Sequence, residues 1–206
     1  MREIILESGD SIDQVYFPET AVISLVSPFL DGRVPELASI GREGISGCLS
    51  AIGSGTTFSQ WVAQVPGRAL QCPASAFESA FEQSQGFRQA TICYMEALQC
   101  QIMQSVACNA MHPVEARCCR WILMMRDRSD SDELALTQEF LAEILSVHRS
   151  SVSLTIGTLQ QAGYLEAKRG SLRILDRKGL ENVSCECYRI VRDRFEDLLP
   201  GTFITQ

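Results

Sequence analysis

The first third of the chain alternates short apolar runs with turn-forming residues. β-Branched and aromatic residues cluster at positions 15–17, 21–26, 36–40 and 60–65. Segments rich in glycine, aspartate, serine and proline separate these runs, and this spacing is typical of short antiparallel strands. We therefore expect a β-sandwich or β-barrel at the N-terminus, followed by a short helix that begins near residues 73–77.

A long helix is predicted over residues 86–111, which contain no proline and, after the first residue, no glycine. Its apolar face is formed by residues at helical intervals: Ile92, Met95, Leu98, Ile102 and Val106. About seven turns exceed what a small domain needs for its own core. We expect two copies of this helix to pair in a homodimer. Packing of the helix on its own sheet is the alternative.

A proline divides the long helix from the C-terminal half. Pro113 disfavours helical geometry at His112, and a second helix is predicted over residues 114–126. A polar link follows at residues 127–132. We predict four segments: a sensor-like β-domain (1–85), the long helix (86–111), a hinge with a connecting helix (112–129) and a C-terminal domain (130–206).

The C-terminal domain carries the pattern of a helix-turn-helix. Thr137 is a suitable N-cap for a helix that extends to about residue 145, and a tight connection follows it. A second helix over residues 149–162 carries Val152, Ile156 and Leu159 on one face, and Gly163 ends it. This arrangement holds a second helix in the major groove of DNA.

A short basic hairpin follows the helix pair. Residues 164–167 and 172–175 are predicted strands, and Lys168, Arg169 and Gly170 lie in the turn between them. Such a wing suits contact with DNA phosphates. The candidate DNA-binding residues of the whole domain are Thr137, His148, Arg149, Ser150, Ser151, Ser153, Lys168, Arg169 and Arg173.

Composition and charge narrow the function. The chain has 206 residues, is 46% hydrophobic and 21% charged, and carries a net charge of −7. An acidic chain does not bind DNA indiscriminately, but residues 147–178 hold six basic and two acidic side chains. Neither a secretory signal nor a membrane-spanning run is evident, so we expect a cytoplasmic protein without a membrane partner.

The chain has nine cysteines but no C-x-x-C pair or zinc-finger spacing. We expect reduced thiols that serve mainly in packing, with no metal and no cofactor. The alternative is a thiol- or metal-responsive regulator that senses through the helix cysteines. Cys93 and Cys100 are seven residues apart on the long helix and are the candidate redox pair.

The order of a β-domain, a long helix and a winged helix-turn-helix resembles the Crp/Fnr family of transcription regulators over essentially the whole chain. The most specific stretch is residues 136–175, where Arg149 stands at the family's base-reading arginine. The resemblance implies an α+β fold with an N-terminal antiparallel jelly-roll like that of cyclic-nucleotide-binding domains. It implies a dimeric, sequence-specific DNA-binding regulator whose partners are a palindromic double-stranded operator and RNA polymerase.

The sequence departs from this family at two kinds of position. Ser146 stands where the helix-helix turn usually has glycine, which implies a small strain. In the effector pocket, Arg42 replaces the ribose-binding glutamate and Phe58 replaces the phosphate-binding arginine. We therefore predict a degenerate pocket, formed by Gly41, Arg42, Glu43, Gly44, Phe58, Ser59 and Gln60.

An enzyme is the remaining class to consider. The chain has only two histidines, His112 and His148, and neither has an evident nucleophile partner. No phosphate-binding loop or dinucleotide fingerprint occurs. We therefore expect no catalytic residues.

Overall fold

The computed structural model describes residues 3–129 and 131–203. The chain divides into two compact units. The first comprises Met1–Ser27, Leu37–Met103 and Val191–Gln206, and the second comprises Pro28–Glu36 and Gln104–Ile190. The four predicted segment limits stay a prediction.

Antiparallel strands form the N-terminal part, as the spacing of apolar runs predicts. They are β1 (Ile4–Leu6), β2 (Gln14–Pro18), β3 (Val22–Val26), β4 (Glu36–Ile40), β5 (Gln60–Val65) and β6 (Ala69–Pro73). Among the described residues, a four-stranded sheet runs in the order β1-β5-β3-β4, and a second sheet pairs β2 with β6. Strand β5 is antiparallel to both β1 and β3. A short helix α1 (Cys48–Ala51) precedes β5, and α2 (Ala74–Gln83) follows β6.

The core of the first unit is built on β3, which is buried along its whole length. Trp61 of β5 and Phe77 of α2 pack into the same cluster. Burying side chains of this size contributes about 1.5–3 kcal/mol each. This core fixes the β-domain and holds one face of the helix that follows.

Helix α3 (Gln85–Met111) confirms the predicted long helix but corrects the predicted apolar face. Met95, Leu98 and Ile102 pack against the core of the first unit. Ile92 and Val106 are exposed instead, and Met103 is exposed with them. The helix is apolar on two sides, so the predicted single face was wrong. The sequence periodicity does not distinguish the inner stripe, which packs against the core, from the outer stripe, which is exposed.

The second unit is organised around α4 (Val114–Asp127), which is buried from Ala116 to Met125. It packs against two later helices, α6 (Arg149–Gln161) and α7 (Arg177–Val183). At its C-terminal end, the Asp127 carboxylate accepts hydrogen bonds from Arg177 and Tyr188, both at 2.7 Å. Tyr188 lies in the last helix, α8 (Cys187–Leu198), so this network joins three helices.

The remaining elements of the second unit complete a winged domain. Helix α5 (Gln138–Ile144) precedes α6, and a three-stranded sheet is formed in the order β7-β9-β8 among the described residues. Its strands are β7 (Glu133–Leu134), β8 (Leu165–Lys168) and β9 (Ser171–Ile174). None of the helices in the described residues combines the length and apolar character that crossing a bilayer requires.

Candidate functional site

Helices α5 and α6 form the predicted helix-turn-helix, and each ends in the same capping motif. Thr137 caps α5, since its side chain accepts a hydrogen bond from the Phe140 N–H at 3.2 Å. After α5, the N–H groups of Ser146 and Val147 donate to carbonyls of the last turn, both at 3.0 Å. Gly163 and the residue after it repeat this pattern at the end of α6.

The residue in the left-handed position differs between the two caps. Gly163 has φ 77° and Ser146 has φ 52°. Ser146 is the only non-glycine residue with positive φ among the described residues. This confirms the strain expected from a serine at the usual glycine position.

The recognition helix α6 buries one side and exposes its polar first turn. Val152, Ile156 and Leu159 are buried, as their spacing predicts. His148 stands at the N-cap position, and His148, Arg149 and Ser150 are exposed, whereas Ser151 is half-buried. The exposed Ser153 donates a hydrogen bond to the Gln138 side chain at 2.7 Å, which ties α6 to α5.

The wing is a hairpin whose tip carries a cation. Lys168 of β8 pairs with Ser171 of β9, which leaves Arg169 and Gly170 as a two-residue turn. Gly170 has φ 83°, a conformation that favours glycine. Arg149, Lys168 and Arg169 line one concave groove together with Thr137. The structure thus brings the first turn of α6 and the wing tip to the same surface.

The three wing cations have different surroundings. The Lys168 ammonium is 3.3 Å from the Glu166 carboxylate. Arg173 lies between Glu133 and Glu166 in the cross-strand register. Arg169 is exposed at the turn. Acidic neighbours reduce the attraction of a cation for phosphate, so Arg169 has the most favourable position of the three.

The residues of the predicted effector pocket lie in the β-domain around the end of β4 and the start of β5. The Gly41 N–H donates to the Glu43 carboxylate at 3.1 Å. Gly44 packs closely on helix α3, because a Cβ there would lie 2.6 Å from the Tyr94 hydroxyl. Arg42 is exposed.

Residues in the second half of that pocket also form hydrogen bonds with other residues of the β-domain. The Ser59 N–H donates to the Thr57 hydroxyl at 3.2 Å, and the Gln60 amide donates to the Glu7 carboxylate at 2.6 Å. Phe58 is 68% exposed. An exposed arginine and an exposed phenylalanine therefore occupy the two positions where the resemblance expects nucleotide-binding side chains.

Sequence reasoning missed a cluster of thiols and a histidine in the second unit. The ligand atoms of Cys108, His112, Cys185 and Cys187 all lie within 4.8 Å of one another. The Sγ atoms of Cys108 and Cys185 are 3.5 Å apart, and Cys187 Sγ is 3.4 Å from His112 Nδ1. The search for C-x-x-C spacing could not find this set. Its local signals are a cysteine and a histidine four residues apart, and a C-x-C pair.

The surroundings of one thiol in this cluster favour its ionised form. The hydrogen bond from Cys185, together with the positive charge of Arg120, lowers the pKa of Cys108 to about 5. The same hydrogen bond, together with burial, raises the pKa of Cys185. By contrast, burial raises the pKa of both Cys118 and Cys119, which makes them unreactive packing groups.

Two buried arginines of α4 accompany the cluster. Arg117 and Arg120 are 9% and 5% exposed, and the Nε atom of each has no hydrogen-bond partner among the described residues. Burial lowers the pKa of Arg117, while the thiolate charge of Cys108 opposes that shift. A terminal nitrogen of Arg117 donates to the Leu145 carbonyl, directly before the helix-helix turn. The thiolate and the arginines therefore compensate one another's buried charge.

The two cysteines proposed for redox control lie apart from this cluster. Cys93 and Cys100 are half-buried free thiols on one side of α3. With about 100° per residue, they stand about 80–100° around the helix from Ile92. They therefore lie together on one side of the exposed stripe of α3.

Comparison with known proteins finds a family model that matches part of the second unit. Residues 116–183 match the Crp-like helix-turn-helix domain. No curated protein sequence matches the chain. Solved structures match over most of its length. A transcriptional regulator of the CRP family from Thermus thermophilus is 18% identical with a TM-score of 0.74, and the match covers 89% of this chain and 93% of that one.

Two further structures agree. FixK2 from Bradyrhizobium japonicum is 16% identical with a TM-score of 0.76, over 89% of this chain and 93% of that one. The c-di-GMP-responsive global regulator CLP from Xanthomonas campestris is 16% identical with a TM-score of 0.62, over 84% of this chain and 90% of that one. The chain therefore has the fold of CRP/FNR transcription regulators, and its residues 116–183 are similar to the Crp-like helix-turn-helix domain.

Proposed function

We propose that this protein is a sequence-specific DNA-binding transcription regulator that acts as a homodimer. The observation that carries the proposal is the exposed Arg149 in the first turn of α6, which lines one groove with Lys168 and Arg169 of the wing. A helix-turn-helix places this turn in the major groove, while the wing reaches the phosphates. The enzyme alternative has no support in this fold.

The roles of the remaining polar residues follow from their positions. Arg149 reads a guanine edge, since a guanidinium can donate twice to that base. His148, Ser150 and Ser151 contact neighbouring bases or phosphates at the start of α6. Thr137 keeps its hydroxyl on the α5 cap, and Ser153 holds Gln138. These last two side chains position the recognition helix more than they read sequence.

The exposed outer stripe of α3 supports the dimer. Ile92, Met103 and Val106 are 41%, 64% and 67% exposed. Apolar surface is unfavourable in water, and pairing of two helices would bury it. A two-fold dimer presents two recognition helices about 34 Å apart to a palindromic operator. We also propose that the protein is located in the cytoplasm and that RNA polymerase is one of its partners.

The effector pocket is proposed to be degenerate. No cation stands at Phe58 to pair with a cyclic phosphate, and Arg42 cannot accept hydrogen bonds from ribose hydroxyls. Calorimetric titration with cyclic AMP or cyclic GMP should show no micromolar binding. Measurable micromolar affinity would contradict a degenerate pocket.

The experiment that tests the proposed function begins with selection of bound DNA fragments from random sequence. The selected site should be an imperfect palindrome. Arg149→Ala should lose roughly 1–3 kcal/mol of binding free energy to it and relax specificity at one position of each half-site. Gln160→Ala, at the exposed far end of the same helix, is the matched control and should bind like the wild type. Equal affinities of both variants would contradict the recognition-helix assignment.

A thiol- or metal-responsive regulator is a second candidate function. The cluster of Cys108, His112, Cys185 and Cys187 favours it, because three thiols and an imidazole converge on one point in the same unit as the helix-turn-helix. The Cys93 and Cys100 thiols are a weaker basis for it, since both lie beside the exposed stripe of α3 and not on it. Comparing operator affinity under dithiothreitol and under mild peroxide tests this role.

A further inference from the structure

We propose that Cys108, His112, Cys185 and Cys187 form a tetrahedral Cys3His site for one divalent metal ion of the Zn²⁺ type. Three sulfurs and one imidazole nitrogen are a donor set that structural zinc sites use. Cys108, Cys185 and Cys187 are almost wholly buried. The site concerns metal coordination alone and stands whether or not the protein binds DNA.

The distances fit a single ion. With Zn–S bonds of about 2.3 Å and Zn–N bonds of about 2.0–2.1 Å, tetrahedral geometry places two sulfurs about 3.8 Å apart and a sulfur and a nitrogen about 3.6 Å apart. The corresponding observed distances are 3.5 Å between Cys108 and Cys185 and 3.4 Å between Cys187 and His112. All four ligand atoms lie within 4.8 Å, which leaves room for one ion and not for an iron–sulfur cluster.

The orientation of His112 is an independent observation that points to a metal. Its Nδ1 faces the thiols, while its Nε2 lies 3.2 Å from the Glu186 carboxylate. A histidine that ligates a metal characteristically donates its other N–H to such a carboxylate, which fixes the ring and raises its basicity. The Gln104 amide also donates to Cys187 Sγ, at 3.1 Å, as an outer-shell partner.

The charge around the site also suits a thiolate-rich centre. Three thiolates with a divalent ion and a neutral imidazole carry a net charge of −1. Arg117 and Arg120 supply buried positive charge beside them. Each thiol that coordinates as a thiolate releases its proton to solvent, so metal affinity should weaken as pH falls.

Cobalt titration tests the site directly. The full chain is reduced, stripped of metal and titrated with Co²⁺, which reports tetrahedral thiolate ligands through intense visible bands and a near-ultraviolet charge-transfer band. We expect one equivalent to bind and Zn²⁺ to displace it. Cys187→Ser should lose about a third of the charge-transfer intensity, while Cys93→Ser, a thiol outside the cluster, should match the wild type. Absence of tetrahedral bands in the wild type would overturn the proposal, as would equal spectra for both variants.

A second variant avoids the risk that a buried substitution disturbs folding. Glu186 is exposed, and Glu186→Gln removes only the charge that orients His112. We expect a loss of Co²⁺ affinity of about 10–100-fold with retained thiolate bands. Asp193→Asn, an exposed acid on α8, should leave the affinity unchanged. Equal affinities for both variants would contradict the assigned orientation. A Cys108–Cys185 disulfide that forms in preference to metal binding would overturn the site.

Discussion

At the scale of single residues, sequence reasoning succeeds where the signal is local. Gly163 and Thr137 cap their helices as predicted, since a cap depends on hydrogen bonds within one turn. The cluster around Cys108 and Cys185 was missed for the opposite reason. Cys108 and Cys185 are 77 residues apart and meet only in the folded chain. No periodicity encodes such a meeting.

Ser146 gives a prediction at this scale. Its φ of 52° costs a non-glycine residue about 1–2 kcal/mol, and glycine removes that cost at an entropic expense of about 0.5–1 kcal/mol. We expect Ser146→Gly to raise the free energy of unfolding by about 0.5 kcal/mol in urea denaturation. Gln160→Gly, on the exposed face of α6, should lower it by a similar amount. Destabilisation by both substitutions would show that the serine is not strained.

At the scale of elements, the hydrophobic pattern predicts most helices and strands, but it does not predict which face of each contacts the core. The helices α3 to α6 lie within two residues of their predicted ends. Strands β1, β6 and β7 were missed, because β1 and β7 have only three and two residues and β6 interrupts its apolar positions with Gln71. Helices α1, α7 and α8 were also not predicted. Because α3 is apolar on two sides, its sequence does not show which side packs against the core.

The wing gives a prediction at the scale of an element. Arg169 at the tip should contact phosphate more effectively than Arg173, which is flanked by Glu133 and Glu166. Arg169→Ala should therefore weaken binding to all DNA sequences alike and reduce the salt dependence of binding by about one unit of slope. Arg173→Ala is the matched control and should change the slope less. Filter binding across a salt series measures both. The reverse order would place the DNA on another side of the hairpin.

At the scale of the whole molecule, the order of domains was predicted more reliably than any site within them. The β-domain, long helix and winged domain each rest on many residues, and solved structures of CRP/FNR regulators share that order. The pairing of two chains rests on a few exposed side chains of α3. It is therefore the whole-molecule property that most needs a direct test.

Met103 provides that test. In a dimer joined along the outer stripe of α3, Met103→Glu would bring like charges to the seam and remove apolar contact. We expect sedimentation at micromolar concentration to change from a dimer to a monomer. Leu175→Glu introduces the same charge at an exposed apolar residue outside α3 and should remain dimeric. A monomeric wild type, or a dimeric Met103→Glu, would contradict pairing through this stripe.

The hydrogen bond from Arg117 to the Leu145 carbonyl connects the surroundings of Cys108 with the turn before the recognition helix, so a chemical change at this thiol should alter that turn. Alkylation of Cys108, or its two-electron oxidation by peroxide to a disulfide with Cys185, would remove the thiolate charge near the buried guanidinium, and water would then compete for that guanidinium. Leu145 would lose its anchor beside the turn. The amide of Val147, bonded to Ala142, should then exchange its hydrogen for deuterium faster, whereas that of Tyr164 at the other cap should not. Unchanged exchange at Val147 would mean that sulfur chemistry and the recognition helix are independent.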